Sequence, residues 1–401
     1  MKVDEQKIQQ ALTRGVDEVI DKENLEKKLR SGKTLRIKLG IDPTSPNLHL
    51  GRAIPLLKLR DFQEMGHKIV LIIGDFTGVI GDTSDKDSER PMLEEKVIKQ
   101  NMKTYIQQAG KILDIRKCEV RKNSEWLKKL DYTEIGRQAD QFSLNEFISR
   151  ENICKRLDAG KRISLRELMY PLMQGFDSVA IRADVELGGT DQRFNLLAGR
   201  ELQRYYKQEP QDIITNPLVE GLDGRKMSSS WGNTLNLLDS ADEMFGKIMS
   251  LKDEFIIKYF ELTTRENLEK IAEYKKALAE GENPKNIKVL LAKEIVRMYH
   301  GEKEAQRAEE EFNKVHRDKE LPSEIDIFTA DKRVCPILDL LCDTRLATSK
   351  NEAKRLVEQN AVEIIIGENK TKITDWKQEI NLEDGMVLQA GKRKFIKIKI
   401  K

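Results

Sequence analysis

Residues 35–82 contain a strand–helix–strand pattern, which restricts the possible folds more than any other feature of the chain. Residues 35–39 alternate apolar and basic side chains, which is typical of a strand with one buried face. A helix is predicted from about Leu48 to Gly66, because glycine is a natural helix stop. Residues 69–73 are an unbroken apolar run, as expected for a buried parallel strand. Such a βαβ unit predicts a doubly wound parallel α/β sheet.

The turn between the first strand and the helix, residues 42–52, has features of a nucleotide site. Asn47 is a plausible N-cap, and a helix start offers unpaired N–H groups that favour phosphate. His49 would lie on the first helical turn, where its ring can donate to an anion. Gly51 would leave bare backbone against which a flat ring could lie. An ordinary βα turn with a chance histidine explains this stretch equally well.

Residues 83–165 interrupt this alternation and are mainly helical in pattern, with a helix start predicted at 88–91 and helical periodicity from 91 to about 113. We expect a helical insertion between the two halves of the sheet. Insertions of this kind often carry a dimer interface, although packing within one chain would produce the same pattern.

The second half of the predicted sheet begins with three polar residues on one helix face. Tyr170, Gln174 and Asp177 are spaced i, i+4 and i+7. A phenol, an amide and a carboxylate in a row suit a small polar ligand better than a core. A strand predicted at 179–187 then leads into a glycine turn at 188–195, which is a candidate ribose or phosphate site.

In the rest of the chain, the sequence predicts a strand with a loop, then a helical region, then a small module. A strand at 212–218 ends in a basic, hydroxyl-rich loop at 221–230, which a solvated turn would also explain. Residues 231–320 are helical in pattern, and an α+β module is predicted at 333–401.

The C-terminal module concentrates basic residues. The sequence predicts a short helix at 348–360 that exposes Lys350, Lys354 and Arg355, and a strand at 392–401 with one apolar and one basic face. An edge strand protected by lysines and an RNA-facing surface both explain this pattern.

Charge, cysteines and hydropathy bear on whether the protein binds nucleic acid or metal, is secreted or spans a membrane. The net charge of +3 does not by itself indicate nucleic acid. The cysteines show no CxxC pair and no metal spacing, so reduced thiols in a cytosol and no metal site are expected. The amino terminus lacks the apolar core of a secretory signal, and no apolar run approaches membrane-spanning length.

Taken in order, these motifs resemble class I aminoacyl-tRNA synthetases, in particular the bacterial tyrosyl-tRNA synthetases of the second subtype. His49-Leu-Gly-Arg52 stands where that family has its HIGH motif, and Lys226-Met-Ser-Ser-Ser230 stands where it has KMSKS. The similarity continues through residues 40–44, 170–177 and 188–192 and covers nearly the whole chain. The terminal module is similar to an RNA-binding fold first named from a ribosomal protein of the small subunit.

The resemblance implies a tyrosine–tRNA ligase. L-tyrosine would attack the α-phosphorus of ATP to give tyrosyl-adenylate and pyrophosphate, and the tyrosyl group would then move to the 3' end of tRNA(Tyr). Magnesium would accompany ATP without a dedicated protein site. The implied organisation is a cytoplasmic homodimer with a Rossmann-like catalytic domain at 1–230, a helical anticodon-binding domain at 231–320 and an RNA-binding module at 333–401.

The resemblance also implies three sets of site residues. The ATP set is Asp42, Thr44, His49, Gly51, Arg52, Gly189, Asp191, Lys226, Met227 and Ser228, and the catalytic residues are His49, Arg52, Lys226 and Ser229. The tyrosine set is Lys38, Gly40, Asp82, Tyr170, Gln174, Asp177 and Gln192. The RNA set is Lys350, Lys354, Arg355, Lys392, Arg393 and Lys394.

Within the tyrosine set, Asp82, Tyr170 and Gln174 match positions that hold the substrate ammonium. Asp177 matches the acceptor for the phenolic hydroxyl, and a buried carboxylate without that partner disfavours phenylalanine, a discrimination for which tyrosyl-tRNA synthetases are the standard example. Lys38 stands where the first bacterial subtype has a tyrosine, so recognition of the hydroxyl would rest more on Asp177.

Two positions depart from the family motifs. Arg52 replaces the second histidine of HIGH and is predicted to contact the triphosphate or a nearby carboxylate. Ser229 replaces the second lysine of KMSKS, so phosphate binding would shift to Lys226, Arg225 or a metal ion. A non-catalytic RNA-binding protein that retains the fold is the alternative, and these two departures are its only support. A synthetase for tryptophan is disfavoured by the polar set on the 164–177 helix.

Overall fold

The computed structural model describes residues 3–84, 88–89, 91–316, 325–367, 369–391 and 394–401. The described residues form two compact units, Met1–Ser240 with Lys247–Glu302, and Ala241–Gly246 with Lys303–Lys401. Residues 247–302 of the helical region predicted at 231–320 lie in the same unit as the sheet. The domain division given by the resemblance stays a prediction.

A six-stranded sheet lies at the centre of the first unit. Its strands are β1 (Glu18–Ile20), β2 (Arg36–Ile41), β3 (Lys68–Ile73), β4 (Glu119–Lys122), β5 (Val185–Gly189) and β6 (Asp212–Asn216). Their spatial order is β1-β6-β5-β2-β3-β4, and every neighbouring pair is parallel except β1 with β6. The doubly wound parallel sheet predicted from the sequence is therefore confirmed, with an antiparallel edge strand added.

Helices precede, separate and follow these strands along the chain, and one of them has its first residues, Ala241–Gly246, in the second unit. Between residues 3 and 300 they are α1 (Glu5–Thr13), α2 (Lys22–Arg30), α3 (Leu50–Glu64), α4 (Thr77–Ile80), α5 (Glu95–Asn101), α6 (Tyr105–Ala109), α7 (Ser124–Leu127), α8 (Tyr132–Ala139), α9 (Leu144–Ile148), α10 (Glu151–Asp158), α11 (Leu165–Ile181), α12 (Arg193–Tyr205), α13 (Ala241–Met249), α14 (Ile256–Thr263), α15 (Leu268–Ala279) and α16 (Pro284–His300). Single turns of 3₁₀ helix occur at Met102–Thr104, Ile115–Lys117, Thr190–Gln192, Ser229–Trp231 and Asp253–Phe255.

Two predicted boundaries in this unit were wrong, and one segment predicted as helical also contains a strand. The helix expected from residue 91 begins at Glu95 and is broken by a 3₁₀ turn before α6. Residues 179–181, predicted as strand, form the last turn of α11, because their apolar side chains continue its buried face until Arg182 takes a left-handed conformation. The segment 83–165 is mostly helical, but it also contributes β4 to the sheet.

The second unit contains α17 (Glu302–His316) and a small α+β module. The module's helices are α18 (Ile337–Asp343) and α19 (Lys350–Glu358), and its strands are β7 (Asp326–Ala330), β8 (Val334–Pro336), β9 (Val362–Ile366), β10 (Asn369–Lys372), β11 (Glu379–Asn381), β12 (Val387–Ala390) and β13 (Lys394–Ile400). Five of them form a sheet in the order β10-β9-β12-β13-β7, and β8 pairs with β11.

The C-terminal strand has the face pattern that its sequence predicts. In β13, Ile398 is buried, whereas the alternating Lys397 and Lys399 are exposed. The strand is not at a sheet edge, however, because it pairs with β12 on one side and β7 on the other. Its lysines therefore do not protect an edge and remain available as a basic surface.

The first sheet opens between its two central strands. Strands β2 and β5 pair only at Ile37 with Val185 and at Lys38 with Glu186. The chain runs from β2 to one side of the sheet and from β5 to the other, so this is the topological switch point. Ligands of doubly wound folds bind outside the carboxyl ends of the strands at such a point.

A half-buried arginine holds the end of α14. The Arg14 guanidinium donates to four main-chain oxygens at distances of 2.7 to 3.3 Å, those of Phe260, Glu261, Thr264 and Glu266. Replacing Arg14 with alanine removes four hydrogen bonds from a charged donor to these carbonyls, so we expect a loss of about 3 kcal/mol in the free energy of unfolding, measured by urea denaturation. Arg60→Ala, which removes an exposed pair with Glu64, should cost less than about 0.5 kcal/mol, and an equal loss in both variants would contradict the assignment.

Candidate active site

A cavity of about 430 Å³ lies at the carboxyl ends of β2, β5 and β6. Its wall includes every residue of the predicted ATP set, Ser229, and every residue of the predicted tyrosine set except Lys38. The sequence-predicted residues, spread from Gly40 to Ser229, are therefore brought to one site. Of the described residues, no group of three or more His, Cys, Asp or Glu side chains could hold a metal ion.

The floor of the cavity is the turn before α3. The N-cap of α3 is His49 rather than the predicted Asn47, because main-chain bonds from Leu50 N to Leu235 O and from Leu237 N to Leu48 O, each 2.8 Å, anchor the turn just before the helix. Burial, reinforced by two nearby cations, lowers the pKa of His49 to about 3. The imidazole is therefore neutral at physiological pH and can offer one ring N–H to an anion.

The absence of a side chain at Gly51 lets the His49 ring and the Met227 sulfur approach the backbone of α3. A Cβ at this position would lie 3.1 Å from His49 Nδ1, and the Gly51 N–H donates to Met227 Sδ at 3.3 Å. His49 Nδ1 is buried with no hydrogen-bond partner in the structure. Since a buried N–H without an acceptor is costly, we assign the proton to Nε2. The bare backbone predicted at Gly51 therefore accommodates the histidine ring and the methionine of the basic loop.

Asp42 is held by two hydroxyl groups at the end of β2. Its Oδ1 accepts from Thr77 Oγ1 at 2.7 Å and its Oδ2 from Tyr170 Oη at 2.8 Å. Burial raises its pKa to about 6. A Cβ on Gly74 would lie 1.9 Å from Asp42 Oδ1, so only glycine at position 74 leaves room for this carboxylate. Thr77 was not recognised in the sequence.

Arg52 forms hydrogen bonds with the floor of the cavity rather than with a carboxylate. Its Nη1 donates to the main-chain oxygen of Asp42 at 2.8 Å, and its Nη2 to Thr44 Oγ1 at 3.3 Å. The carboxylate contact predicted as one of two options is therefore replaced by a carbonyl contact. The other option, contact with a triphosphate, stays a prediction.

A polar pocket lies between α11 and the 82–84 turn. Asp82 accepts from Gln192 Nε2 at 2.7 Å and from the Ser84 hydroxyl at 2.6 Å, and burial raises its pKa. Tyr170 and Gln174 line the same cavity from α11. Because Tyr170 donates its proton to Asp42, its oxygen remains able to accept a hydrogen bond.

Asp177 is a buried carboxylate in the cavity wall. Its Oδ1 accepts from Trp126 Nε1 at 2.7 Å and its Oδ2 from Asn123 Nδ2 at 3.3 Å. Burial raises its pKa to about 7, although Lys38 opposes this shift. Sequence reasoning missed Trp126 and Asn123, because both follow β4 in a segment that was expected to be an insertion.

Lys38 does not line the cavity, unlike the rest of the tyrosine set. It is completely buried behind the wall, and its Nζ lies 2.8 Å from Glu186 Oε1. A direct contact between Lys38 and a ligand is therefore not supported by its position. The alternating pattern of β2 had placed Lys38 on an exposed face.

The basic loop closes one side of the cavity. Lys226 Nζ lies 2.9 Å from Asp191 Oδ2, and Ser229 Oγ lies 3.3 Å from Ser45 Oγ. Arg225, one of the groups considered for phosphate, is not in the wall of the cavity, and its guanidinium stacks 4.7 Å from the Trp231 ring centre.

The predicted RNA residues lie in the C-terminal module where the structure describes them. Lys350 Nζ is 2.5 Å from Asp339, Lys354 Nζ is 4.4 Å from the Trp376 ring centre, and Lys394 donates to Leu346 O at 3.2 Å. Arg355 lies in the last turn of α19. Lys392 and Arg393 lie outside the described residues.

None of the helices in the described part of the chain is both long and apolar enough to cross a membrane.

Comparison with known proteins identifies the family. The family described as "tRNA synthetases class I (W and Y)" matches residues 30–317. A tyrosine–tRNA ligase of Thermotoga maritima is 46% identical over 389 residues, which cover 96% of each chain. A tyrosine–tRNA ligase 2 of Vibrio vulnificus is 45% identical over 390 residues, which cover 97% of each chain.

Solved structures have the same fold at lower identity. A C-terminally truncated mitochondrial tyrosyl-tRNA synthetase of Aspergillus nidulans is similar with a TM-score of 0.64 and 20% identity, over 77% of this chain and 93% of the other. A tyrosyl-tRNA synthetase of Archaeoglobus fulgidus complexed with L-tyrosine gives 0.61 and 23% identity, over 76% and 99%. Since the family match spans more than half of the chain and the relatives nearly all of it, the chain belongs to the class I tRNA synthetases of the tryptophan and tyrosine family.

Proposed function

We propose that this chain is a tyrosine–tRNA ligase that forms tyrosyl-adenylate from L-tyrosine and ATP and transfers tyrosine to tRNA(Tyr). The observation that carries the proposal is the buried carboxylate of Asp177 in the wall of a cavity that also contains His49 and Lys226. A buried carboxylate in the wall of a pocket suits a phenolic hydroxyl, and it does not suit the apolar ring of phenylalanine.

The amino acid is held at both ends. Its ammonium contacts Asp82 and the oxygens of Tyr170 and Gln174, and its hydroxyl donates to Asp177. These four groups come from α11 and from the turn that follows α4, so that turn and one helix set the distance between the two ends of the pocket. Gly40 and Gln192 complete the wall around the substrate.

ATP occupies the side of the cavity that the floor and the basic loop form. The neutral His49 donates Nε2–H to a phosphate oxygen, and Asp191 with Gly189 contacts the ribose. The Lys226 side chain pairs with Asp191 in the structure. During the reaction its ammonium group turns to the leaving pyrophosphate and stabilises the negative charge that develops there. Magnesium arrives with ATP as part of the substrate.

The protein supplies position and charge rather than a nucleophile. The tyrosine carboxylate attacks the α-phosphorus, and two anions must be brought together before the bond forms. Arg52 holds Asp42 and Thr44 in place under the triphosphate. The adenylate then passes its acyl group to the terminal adenosine of tRNA.

RNA binding and dimer formation belong to other surfaces. The basic residues of α19 and Lys394 form the RNA-binding face of the C-terminal module. A homodimer interface at 83–165 is supported by exposed apolar and aromatic side chains there, with Tyr132 93% and Leu144 63% exposed. We place the protein in the cytoplasm, because its four cysteines are free thiols, as expected in a reducing compartment.

The experiment that tests the proposal is ATP–pyrophosphate exchange with tyrosine, phenylalanine or tryptophan, followed by charging of tRNA(Tyr). We expect exchange with tyrosine alone. Exchange with tryptophan would refute the substrate assignment. RNA binding without exchange for any amino acid would support a non-catalytic RNA-binding protein instead.

Asn233 organises the basic loop and was missed in the sequence. Its Oδ1 accepts from Ser228 N at 2.9 Å, and its Nδ2 donates to Asp223 at 2.7 Å and to Lys226 O at 3.0 Å. In Asn233→Ala the loop loses these contacts, so we expect kcat for adenylate formation to fall about tenfold. The KM for tyrosine, whose pocket is elsewhere in the cavity, should change less than about twofold. Unchanged kcat would show that Asn233 does not position Lys226.

A further inference from the structure

Two oppositely charged side chains lie buried directly behind the cavity. Lys38 and Glu186 face each other across β2 and β5, at the last position where these strands pair. Neither side chain is exposed, and Lys38 Nζ lies 2.8 Å from Glu186 Oε1. Burying two charges has a large desolvation cost, which only a complete set of hydrogen-bond partners offsets.

The pair has such a set. Lys38 Nζ also donates to Gln174 O at 2.9 Å and to Ser178 Oγ at 2.7 Å, so each of its three protons has an acceptor. The Ser178 hydroxyl donates to Glu186 Oε2 at 2.9 Å, and Gln211 Nε2 donates to the same oxygen at 2.5 Å. Both charges are therefore fixed in position.

One partner of the pair is also part of the cavity wall. Gln174 Nε2 donates to Glu186 Oε1 at 3.1 Å, and Gln174 lines the cavity. An amide can exchange its nitrogen and oxygen by turning over, with little change in shape, so its neighbours decide which atom faces a ligand. An ionised carboxylate only accepts hydrogen bonds, so Glu186 holds the NH₂ group and leaves the amide oxygen for the cavity.

We propose that Glu186, balanced by Lys38, is a positioning residue that fixes the Gln174 amide so that its oxygen accepts a hydrogen bond from the substrate ammonium. The inference rests on the proposed function, which provides an amino acid as ligand. A pair with only a structural role could be replaced by apolar side chains of similar volume without loss of stability. A positioning pair cannot be replaced in this way without loss of affinity for the ammonium.

The test is the double variant Lys38→Met/Glu186→Leu, which leaves neither charge unpaired. Calorimetry measures its affinity for L-tyrosine and for 3-(4-hydroxyphenyl)propionate, the same molecule without the ammonium group. We expect tyrosine affinity to fall about tenfold to a hundredfold, the usual range for a lost hydrogen bond to a charged group, and the analogue to change less than about twofold. Glu186→Gln should give the same pattern, because a glutamine can bond Gln174 in either orientation.

The matched control is Ser178→Ala, which removes a hydroxyl bonded to both charges but leaves the Gln174 amide in contact with Glu186. The ratio of tyrosine to analogue affinity should remain that of the parent protein. Equal losses for both ligands in the double variant, or unchanged tyrosine affinity, would overturn the positioning role. A parent protein that does not bind tyrosine would instead refute the proposed function.

Discussion

Replacing Asp177 with asparagine should lower kcat/KM for tyrosine about a hundredfold and leave kcat/KM for phenylalanine within about threefold of the parent. In the proposed complex the carboxylate accepts a hydrogen bond from the phenolic hydroxyl in a buried site, where a hydrogen bond to a charged group is worth about 1.5–3 kcal/mol. Phenylalanine has no hydroxyl group, so the substitution removes no hydrogen bond from its complex. The measurement is pyrophosphate exchange with each amino acid at saturating ATP, and equal losses for both would show that Asp177 acts on the pocket as a whole.

The same variant has a pH signature. Burial raises the pKa of Asp177 to about 7, so the carboxyl group is mostly neutral at pH 6 and mostly ionised at pH 8. Because the ionised form is the stronger acceptor, tyrosine affinity should rise about tenfold between these pH values, provided the hydroxyl stays protonated. In Asp177→Asn this rise should disappear. A rise that persists in the variant would assign the titration to another group, such as Asp42.

Replacing Lys226 with alanine should lower kcat for adenylate formation about a hundredfold to a thousandfold, the usual effect of losing one charge-stabilising donor. The KM for tyrosine should change less than about threefold, because Lys226 contacts Asp191 and not the amino acid pocket. Single-turnover formation of the adenylate measures the effect directly. A loss confined to the KM for ATP would mean that Lys226 binds the ground state and the transition state equally.

Arg225→Ala is the matched control for this variant. It removes a neighbouring positive charge of the same loop, but that charge stacks on Trp231 and lies outside the cavity wall. Its kcat should stay within about threefold of the parent. A loss as large as that of Lys226→Ala would indicate that the net charge of the loop matters, rather than one positioned ammonium.

The parts of the fold that the sequence predicted well are those with strong local signals. The apolar run at β3 and the glycine that ends α3 are such signals, and so is the i, i+4, i+7 spacing on α11. These signals come from neighbours along the chain, so they need no knowledge of the tertiary structure. They predicted the doubly wound sheet and put three polar residues on one face of α11, whereas the full sets of site residues came from the resemblance to a known family.

The failures have a common physical cause, which is contact between distant segments. The N-cap of α3 is at His49 because residues 235–237 bond to the turn before it. Lys38 is buried because α11 covers the second face of β2, and a strand in a doubly wound sheet is covered on both faces. The short strand β4 is mostly charged, so nothing local marked it or the Asn123 and Trp126 that follow.

Because β2 and β5 stop pairing early, the residues that hold these two strands together are different from the residues that line the cavity. Up to Lys38 and Glu186 these strands are held by pairing, and beyond that position Gly40 and Leu187 contribute to the cavity without bonding to each other. Substitutions beyond the parting point can therefore reshape the pocket while the ladder of the sheet stays intact. On such a scaffold, amino acid specificity can change by small local steps, each of which has little effect on folding.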